Sequence, residues 1–135
     1  MRDEPLPAVA AVVSFIDAIN RGDVNRLGDL MTEDHHLDVF DEPPLRGRDA
    51  NLDAWRGYVL AFPLYVIYVE RVAEHNGEVA VLGHTTGSHL GLPDDEEVRL
   101  SLIWKARVEA GKLACWQLVE DTVERRKQFG LDVCV

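Results

Sequence analysis

The chain changes from helical to strand periodicity at Pro63, and this change limits its fold more than any other feature of the sequence. Before Pro63, apolar residues recur at the spacing of amphipathic helices in three stretches. These predicted helices cover residues 6–20, 23–31 and 49–62. Gly22 is expected to end the first helix in a left-handed conformation, and Asp23 and Asp49 are expected to cap the second and third.

After Pro63 the pattern predicts strands joined by tight turns. Asn76-Gly77 is a strong hairpin signal, because both positions of such a turn need a positive φ. Glu109-Ala110-Gly111 predicts a second hairpin, and residues 91–96 are expected to form an exposed loop between the two. The predicted strands cover residues 65–74, 78–89, 98–108 and 112–121, with a shorter one around residues 37–39. Three helices followed by a meander of long strands indicate an α+β fold.

Length and charge exclude several classes of protein. The 135 residues are enough for a single domain, residues 1–135, whose core needs neither a disulfide nor a structural metal. The net charge of −10 argues against nucleic acid as a partner, because binding to phosphates needs a basic face. No apolar run is long enough to span a membrane. Cys115 and Cys134 are expected to be reduced thiols in a cytoplasmic protein.

Several short motifs resemble the SnoaL-like branch of the nuclear transport factor 2-like superfamily. They are FIDAINRGD at 15–23, LMTED at 30–34, LRGRD at 45–49 ahead of Trp55, VEAGKL at 108–113, Trp116, Asp121 and QFGL at 128–131. The resemblance covers almost the whole chain. It implies a cone in which a strongly curved, mainly antiparallel sheet packs on three N-terminal helices and leaves an apolar pocket at its wide end. Function stays open, because the superfamily includes ketosteroid isomerases, polyketide cyclases, scytalone dehydratases, epoxide hydrolases and members without a known reaction.

The residues needed for steroid isomerisation are absent where the resemblance would place them. The phenol position falls on Phe15, and the position of the protonated acid falls on Ile103 or Trp104. The base position falls on Val39. Asp38 is one residue away and therefore faces the opposite side of a regular strand, unless a bulge intervenes. Steroid isomerase activity is accordingly not expected.

The epoxide hydrolase pattern matches only in part. Its acidic position on the last strand falls on Leu118, which leaves Asp121 as the nearest carboxylate and as a candidate catalytic residue.

His35, His36 and Asp38 form a second group of candidates at the start of the first strand. An imidazole and a carboxylate this close in sequence can act as an acid and base pair near neutral pH, so His35 and Asp38 are candidate catalytic residues. The alternative is structural, with a histidine in a loop and Asp38 paired with Arg46 or Arg48. Both interpretations stay open at the level of sequence.

Two further histidines are predicted to lie in one strand with their side chains on opposite faces. His89 would share the concave face with Gly83, Thr85 and Gly87, which makes it a candidate catalytic residue. His84 would lie on the outer face, where a subunit contact is expected.

Aromatic residues on the third helix and the late strands could line a pocket for a flat apolar ligand. The predicted ligand-binding residues are Phe15, Trp55, Tyr58, Phe62, Trp104 and Trp116. Core packing is the alternative for all of them. Tyr58 differs from the rest, because its hydroxyl needs a polar partner if it is buried.

Two classes of function are therefore compatible with the sequence. The protein is either a cofactor-independent isomerase, cyclase or hydrolase acting on a hydrophobic small molecule, or a binding protein that holds an apolar ligand without chemistry. No metal site and no cofactor are expected, because the sequence offers no ligand set at a recognised spacing and no phosphate-binding loop. A homodimer through the outer face of the sheet is expected, because Ala80 and Leu82 would expose apolar surface beside His84.

Overall fold

Residues 5–132 are described by a computed structural model, and they form five helices and six strands. The helices are α1 (Ala8–Arg21), α2 (Val24–Asp29), α3 (Arg48–Ala61), α4 (Asp94–Glu97) and α5 (Val123–Gln128). The strands are β1 (Met31–Val39), β2 (Leu45–Arg46), β3 (Val66–His75), β4 (Glu78–Thr86), β5 (Leu102–Glu109) and β6 (Lys112–Glu120). The α+β fold predicted from the sequence is confirmed.

The first two helices begin and end as their residues predict. Gly22 has a φ of 67° and lets its own N–H and that of the next residue bond to the last carbonyls of α1. Asp23 caps α2, since its side chain accepts a hydrogen bond from the Arg26 N–H. The third cap was predicted wrongly. Helix α3 begins at Arg48, directly after Gly47, and Asp49 already lies inside its first turn.

All six strands join in one curved, open sheet with the order β2-β1-β6-β5-β4-β3. Every neighbouring pair is antiparallel except β1 and β6, which run parallel. The Asn76-Gly77 turn has the predicted positive φ values of 52° and 82°. The second hairpin turns at Ala110 and Gly111, so Glu109 still belongs to β5.

The two faces of this sheet have different neighbours. The inner face packs against α1 and α3 and builds the main core, whose strand residues include Val79, Val81, Trp104, Ala106 and Trp116. The outer face carries a smaller cluster of Ala80, Leu82, Ile103 and Leu131. Leu131 follows α5, so the C-terminal segment folds back over the outer face of its own chain.

The homodimer was predicted from apolar surface at Ala80 and Leu82, but the C-terminal segment buries both side chains. Ala80 and Leu82 are each only 3% exposed, because Leu131 belongs to the same cluster and Phe129 packs against it. His84 does lie on the outer face, stacked on Tyr68 with their ring centroids 5.0 Å apart. The homodimer itself stays a prediction, and light scattering at micromolar concentration tests it. A monomeric mass would contradict it.

Several further details differ from the sequence prediction. Helix α2 ends at Asp29, β1 already begins at Met31, and β2 was not predicted. Strand β4 ends at Thr86, so His89 lies in a loop, and β5 begins only at Leu102. The predicted loop contains the short helix α4, and α5 was not predicted at all. Both helices are too short for an apolar period to show in the sequence.

Among residues 5–132, no helix has the length and apolar character needed to cross a membrane. Cys115 is a free, buried cysteine, and Cys134 lies outside the described residues.

Candidate functional site

A cleft of 430 Å³ opens between helix α3, the inner face of the sheet and the loop after β4. Its walls are predominantly apolar and aromatic, as is typical of sites for small organic ligands. The lining residues are Leu37, Val39, Glu42, Ala54, Trp55, Tyr58, Phe62, Tyr65, His89, Trp104, Trp116 and Leu118.

Five of the six aromatic residues predicted to bind a ligand line this cleft. Trp55 and Tyr58 project from one face of α3, and Phe62 directly follows its last residue, with the Tyr58 and Phe62 ring centroids 4.8 Å apart. Trp104 and Trp116 form the opposite wall, because β5 and β6 pair so that both indoles point inward, stacked with centroids 6.3 Å apart. Together they leave a slot between aromatic surfaces.

Phe15 is the exception among the predicted aromatic residues. It is fully buried and lies behind the wall of the cleft, with its ring centroid 5.1 Å from that of Trp116 and 6.0 Å from that of His35. Phe15 therefore supports the cleft through packing and is not part of its surface.

The polar end of the cleft is formed by Tyr58 and His89. Their side chains meet with Tyr58 Oη 2.9 Å from His89 Nδ1, and the backbone N–H of His89 donates to the same oxygen at 3.1 Å. Burial raises the pKa of Tyr58, so the phenol keeps its proton at neutral pH. Tyr65 packs edge-on against Tyr58 with centroids 5.0 Å apart, and burial raises its pKa as well.

The loop after β4 places His89 against Tyr58. Gly87 has a φ of 70°, and a Cβ at this position would collide with the Leu64 carbonyl, so only glycine fits the turn. Glu97 of α4 holds Ser88, the residue before His89, in place. Its buried carboxylate accepts hydrogen bonds from Thr85 Oγ1 and from the Ser88 N–H at 3.4 Å. His89 was thus expected to face the cleft as part of a strand, but a loop brings it there.

His35 is completely buried and does not line the cleft. Its Nδ1 lies 2.7 Å from the Leu113 carbonyl oxygen, which can only accept, so Nδ1 carries the proton. Burial lowers the pKa of His35 and keeps the ring neutral. The Asn51 amide also donates to the His35 carbonyl at 3.3 Å, which ties α3 to β1. Through these contacts His35 connects β1 to β6 and to α3, which is a structural role.

His36 and Asp38 lie on the outer face of the sheet. Leu37 and Val39 line the cleft, and side chains alternate along β1, so Asp38 points away from the cleft. Asp38 Oδ2 lies 3.6 Å from His36 Nε2, and no ion pair joins Asp38 to Arg46 or Arg48, both within the described part of the chain. His36, Asp38 and Cys115 bring three potential metal ligands within 4.8 Å of one another.

Asp121 is engaged elsewhere. Arg126 donates two hydrogen bonds to its carboxylate, at 2.7 and 2.6 Å, and these bonds hold the pKa of Asp121 below its ordinary value. Asp121 is not among the residues that line the cleft in the described part of the chain. Of the four predicted catalytic residues, the cleft therefore contains only His89.

Some residues of this site were missed in the sequence. Leu37, Val39 and Leu118 could have been found, because they alternate correctly with the outward-facing residues of β1 and β6. Glu42 at the rim and the buried Glu97 carried no such signal. A run of four acidic residues, 94–97, normally indicates a solvated loop, and the burial of its last member depends on tertiary contacts.

Solved structures with the same fold have low sequence identity to this chain. An uncharacterised cystatin-fold protein from Novosphingobium aromaticivorans aligns with a TM-score of 0.74 at 15% identity, over 85% of this chain and 99% of that one. IdmH, a candidate polyketide cyclase from Streptomyces antibioticus, aligns with a TM-score of 0.67 at 21% identity, over 93% of this chain and 99% of that one. Such identities establish a shared fold and nothing finer.

An NTF2-like protein of unknown function from Cytophaga hutchinsonii aligns with a TM-score of 0.70 at 12% identity, over 89% of this chain and 95% of that one. A comparison with curated proteins finds no match. The sequence profile of the SnoaL-like domain matches residues 12–116, which contain most of the helices and strands described above. The chain therefore belongs to the SnoaL-like domain family.

Proposed function

We propose that the cleft binds a flat, apolar ketone and that Tyr58 and His89 catalyse its enolisation, the proton transfer on which isomerase and cyclase reactions depend. The observation on which this proposal depends is the 2.9 Å contact between Tyr58 Oη and His89 Nδ1 at the polar end of an aromatic cleft. An imidazole and a phenol converge where the carbonyl of a bound ligand would lie.

The walls support binding of a flat ligand. The cleft volume of 430 Å³ falls within the range of about 300 to 1,000 Å³ that small-molecule sites occupy. Trp104 and Trp116 on one side and Phe62 on the other offer ring faces and edges, which pack favourably on another ring system. Glu42 is the carboxylate at the rim, so a strongly anionic ligand is disfavoured there.

The hydrogen bonds at the polar end define a chemical role for each residue. With the proton on Nδ1, His89 donates to Tyr58 Oη through both its ring and its backbone, and its Nε2 carries a free lone pair. His89 Nε2 then removes a proton from the carbon beside the ketone, and the electron pair of that C–H bond moves to the carbonyl oxygen. Tyr58 keeps its own hydroxyl proton and donates it as a hydrogen bond to the developing oxyanion.

Family membership is consistent with this chemistry. Candidate polyketide cyclases from Streptomyces antibioticus and Jannaschia are among the proteins that share the fold, and ring closure of a polyketide needs an enolised ketone. The proposal for this chain still depends on Tyr58 and His89, because the fold alone does not determine a reaction.

The test has a binding step and a chemical step. Flat fused-ring ketones are screened by thermal unfolding, where a ligand at about 100 times its dissociation constant stabilises the fold by about 2.7 kcal/mol. Each ketone found is then incubated in deuterated water with the protein, and its mass is followed. We expect deuterium uptake beside the carbonyl, and about a 100 to 10,000-fold slower uptake with His89→Ala.

His84→Ala is the matched control, because His84 is a histidine on the outer face, away from the cleft. It should leave the exchange rate unchanged, whereas Tyr58→Phe should lower the rate and leave ligand binding nearly intact. Ligands that bind without any exchange would count against catalysis and would favour the alternative function of a non-catalytic binding protein. If no apolar compound binds at all, both functions fail.

A further inference from the structure

The parallel pairing of β1 and β6 assembles a second polar cluster on the side of the sheet opposite to the cleft. His36 is in register with Cys115, and Asp38 is in register with Gln117, the residue two positions after Cys115. Residues at alternate positions of a strand share a face, and so do residues in register on neighbouring strands. His36, Asp38 and Cys115 are therefore neighbours on one face, with a donor atom of each within 4.8 Å of the others.

The distances within this cluster are close to those of a metal site. Ligand atoms around a tetrahedral zinc ion lie roughly 3.2 to 3.8 Å apart, given its bond lengths to nitrogen, oxygen and sulfur. His36 Nε2 and Asp38 Oδ2 are already 3.6 Å apart. The Cys115 sulfur lies within 4.8 Å of both atoms, so it needs to approach them by at most about 1 Å to reach the upper end of this range.

An unsatisfied oxygen points to a missing partner. Asp38 Oδ1 is buried, and among residues 5–132 no group donates a hydrogen bond to it. A carboxylate oxygen in this situation costs free energy unless a donor or a cation compensates it. The Asp38 side chain as a whole is 25% exposed and that of His36 is 17% exposed, so an ion could enter from solvent and retain a water molecule.

Three cations lie near this cluster, and none of them forms an ion pair with Asp38 in the described part of the chain. Arg46 of β2 is in register with His36, and the other two lie on β5. Arg107 is in register with Cys115, and its Nε donates to Glu109 at 3.0 Å. Lys105, on the same face of β5, is paired with Glu78 and lies over the Phe129 ring. Neither side chain is hydrogen-bonded to Asp38.

We propose that His36, Asp38 and Cys115 form a binding site for a divalent zinc-like ion that connects β1 to β6. The donors are one imidazole nitrogen, one carboxylate oxygen and the sulfur of Cys115, whose thiol would release its proton to solvent when the ion binds. This mixture favours Zn²⁺ over Mg²⁺ or Ca²⁺, which prefer oxygen ligands. Three protein ligands leave the fourth position of the ion to water. The site lies on the outer face, so it is independent of the ketone chemistry in the cleft.

Cobalt and zinc titrations test this proposal. The full chain carrying Cys134→Ser is treated with a chelator and titrated with Co²⁺, so that any thiolate-to-cobalt absorption band reports on Cys115 alone. We expect one equivalent to bind with that band and with visible absorption typical of tetrahedral cobalt, and Zn²⁺ to displace it. Loss of any one ligand, in Cys115→Ser, His36→Asn or Asp38→Asn, should weaken Zn²⁺ binding by at least about 100-fold.

The matched control is His84→Asn, which disrupts the other histidine and carboxylate pair of the outer face, His84 with Glu70 at 3.6 Å. It should leave the absorption band and the affinity unchanged. Circular dichroism and unfolding in the absence of metal verify that each variant is folded. The proposal is overturned if the Cys134→Ser protein binds no ion, or if folded Cys115→Ser binds Zn²⁺ as tightly as its parent.

Discussion

The inner and outer faces of one sheet, built from alternating residues of the same strands, have different surroundings in this molecule. Along β6, Trp116 and Leu118 point into the cleft, whereas Cys115 and Gln117 point outward. Helices α1 and α3 cover the inner face and leave a cleft. The C-terminal segment covers part of the outer face, where Ala80 and Phe129 also line a cavity of 690 Å³. Residues that are adjacent in β6 therefore belong to an apolar cleft on one face of the sheet and to a polar cluster on the other.

The comparison also explains why Asp38 and Asp121, two of the candidate catalytic residues, lie outside the cleft. Asp38 is adjacent in sequence to Leu37 and Val39, which line the cleft, and yet it faces the opposite side. Asp121 comes one residue after β6 ends, where the chain turns toward α5 and Arg126. Residues that are adjacent in a strand do not share a face of the sheet, because side chains alternate between the two faces at every residue.

The largest expected effect lies on the inner face. Phe15→Ala removes a fully buried ring that packs between His35 and Trp116 and should lower the free energy of unfolding by about 3 to 5 kcal/mol. Denaturant unfolding followed by tryptophan fluorescence measures this change. A loss below about 1 kcal/mol would mean that the cleft wall does not depend on the core behind it.

The second largest loss of stability is expected on the outer face. Leu131 is fully buried against Ala80, Leu82 and Ile103, so Leu131→Ala should cost about 2 to 5 kcal/mol. The matched control is Val123→Ala, because Val123 is 64% exposed in the same C-terminal segment and should change stability little. Equal stability of Leu131→Ala and the parent protein would show that the segment does not cover the outer face. The face would then be free for a second copy of the chain.

Substitution of Glu97 should lower the stability less and should loosen the loop that carries His89. Glu97→Ala leaves Thr85 Oγ1 and the Ser88 N–H without their buried acceptor, which should cost about 1.5 to 3 kcal/mol. The loop that carries His89 should loosen as well. Hydrogen exchange at residues 87–92 should accelerate more than exchange in β6, and uniform acceleration would contradict a local role for Glu97.

The smallest effect concerns Asp121. Its pKa is lowered in the folded state by Arg126, so its stabilising contribution is present above the unfolded pKa of about 3.9 and is lost as the pH falls through the folded value. At neutral pH, Asp121→Asn should cost about 1 kcal/mol, since the pair is partly exposed. The difference from the parent protein should disappear in acid. The ketone exchange rate provides a second readout, which the variant should not change.

Much of the fold could be predicted because local chemistry determines it. Gly22, Asp23 and Asn76-Gly77 act through their own backbone and nearest neighbours, so their structural roles can be read from a short stretch of sequence. The tertiary position of α5 could not be predicted in this way, because its residues are mostly charged or polar and show no apolar face. Its position depends on Leu131, which packs in the outer cluster with Leu82 and Ile103.

The cleft could be predicted better than the outer polar cluster, because periodicity within single elements already places its aromatic residues on one face. The spacing of Trp55, Tyr58 and Phe62 indicated one face of a helix, and all three line the cleft. The partnership of His36 and Asp38 with Cys115 needs the parallel pairing of two strands from opposite ends of the chain. The expectation of no metal site was based on spacing along the chain, which does not show that Cys115 lies beside His36 and Asp38.

Nuclear magnetic resonance mapping of a bound ketone tests the central claim, that the inner face is the ligand-binding face, most directly. The indole N–H signals of Trp104 and Trp116 and the ring signals of His89 report on the cleft, and the methyl signals of Ile103 and Val119 report on the other side of the same strands. We predict that the cleft signals shift in a saturable way and that the outer methyl signals stay in place. Saturable shifts at Ile103 and Val119 with none at His89 would contradict the claim.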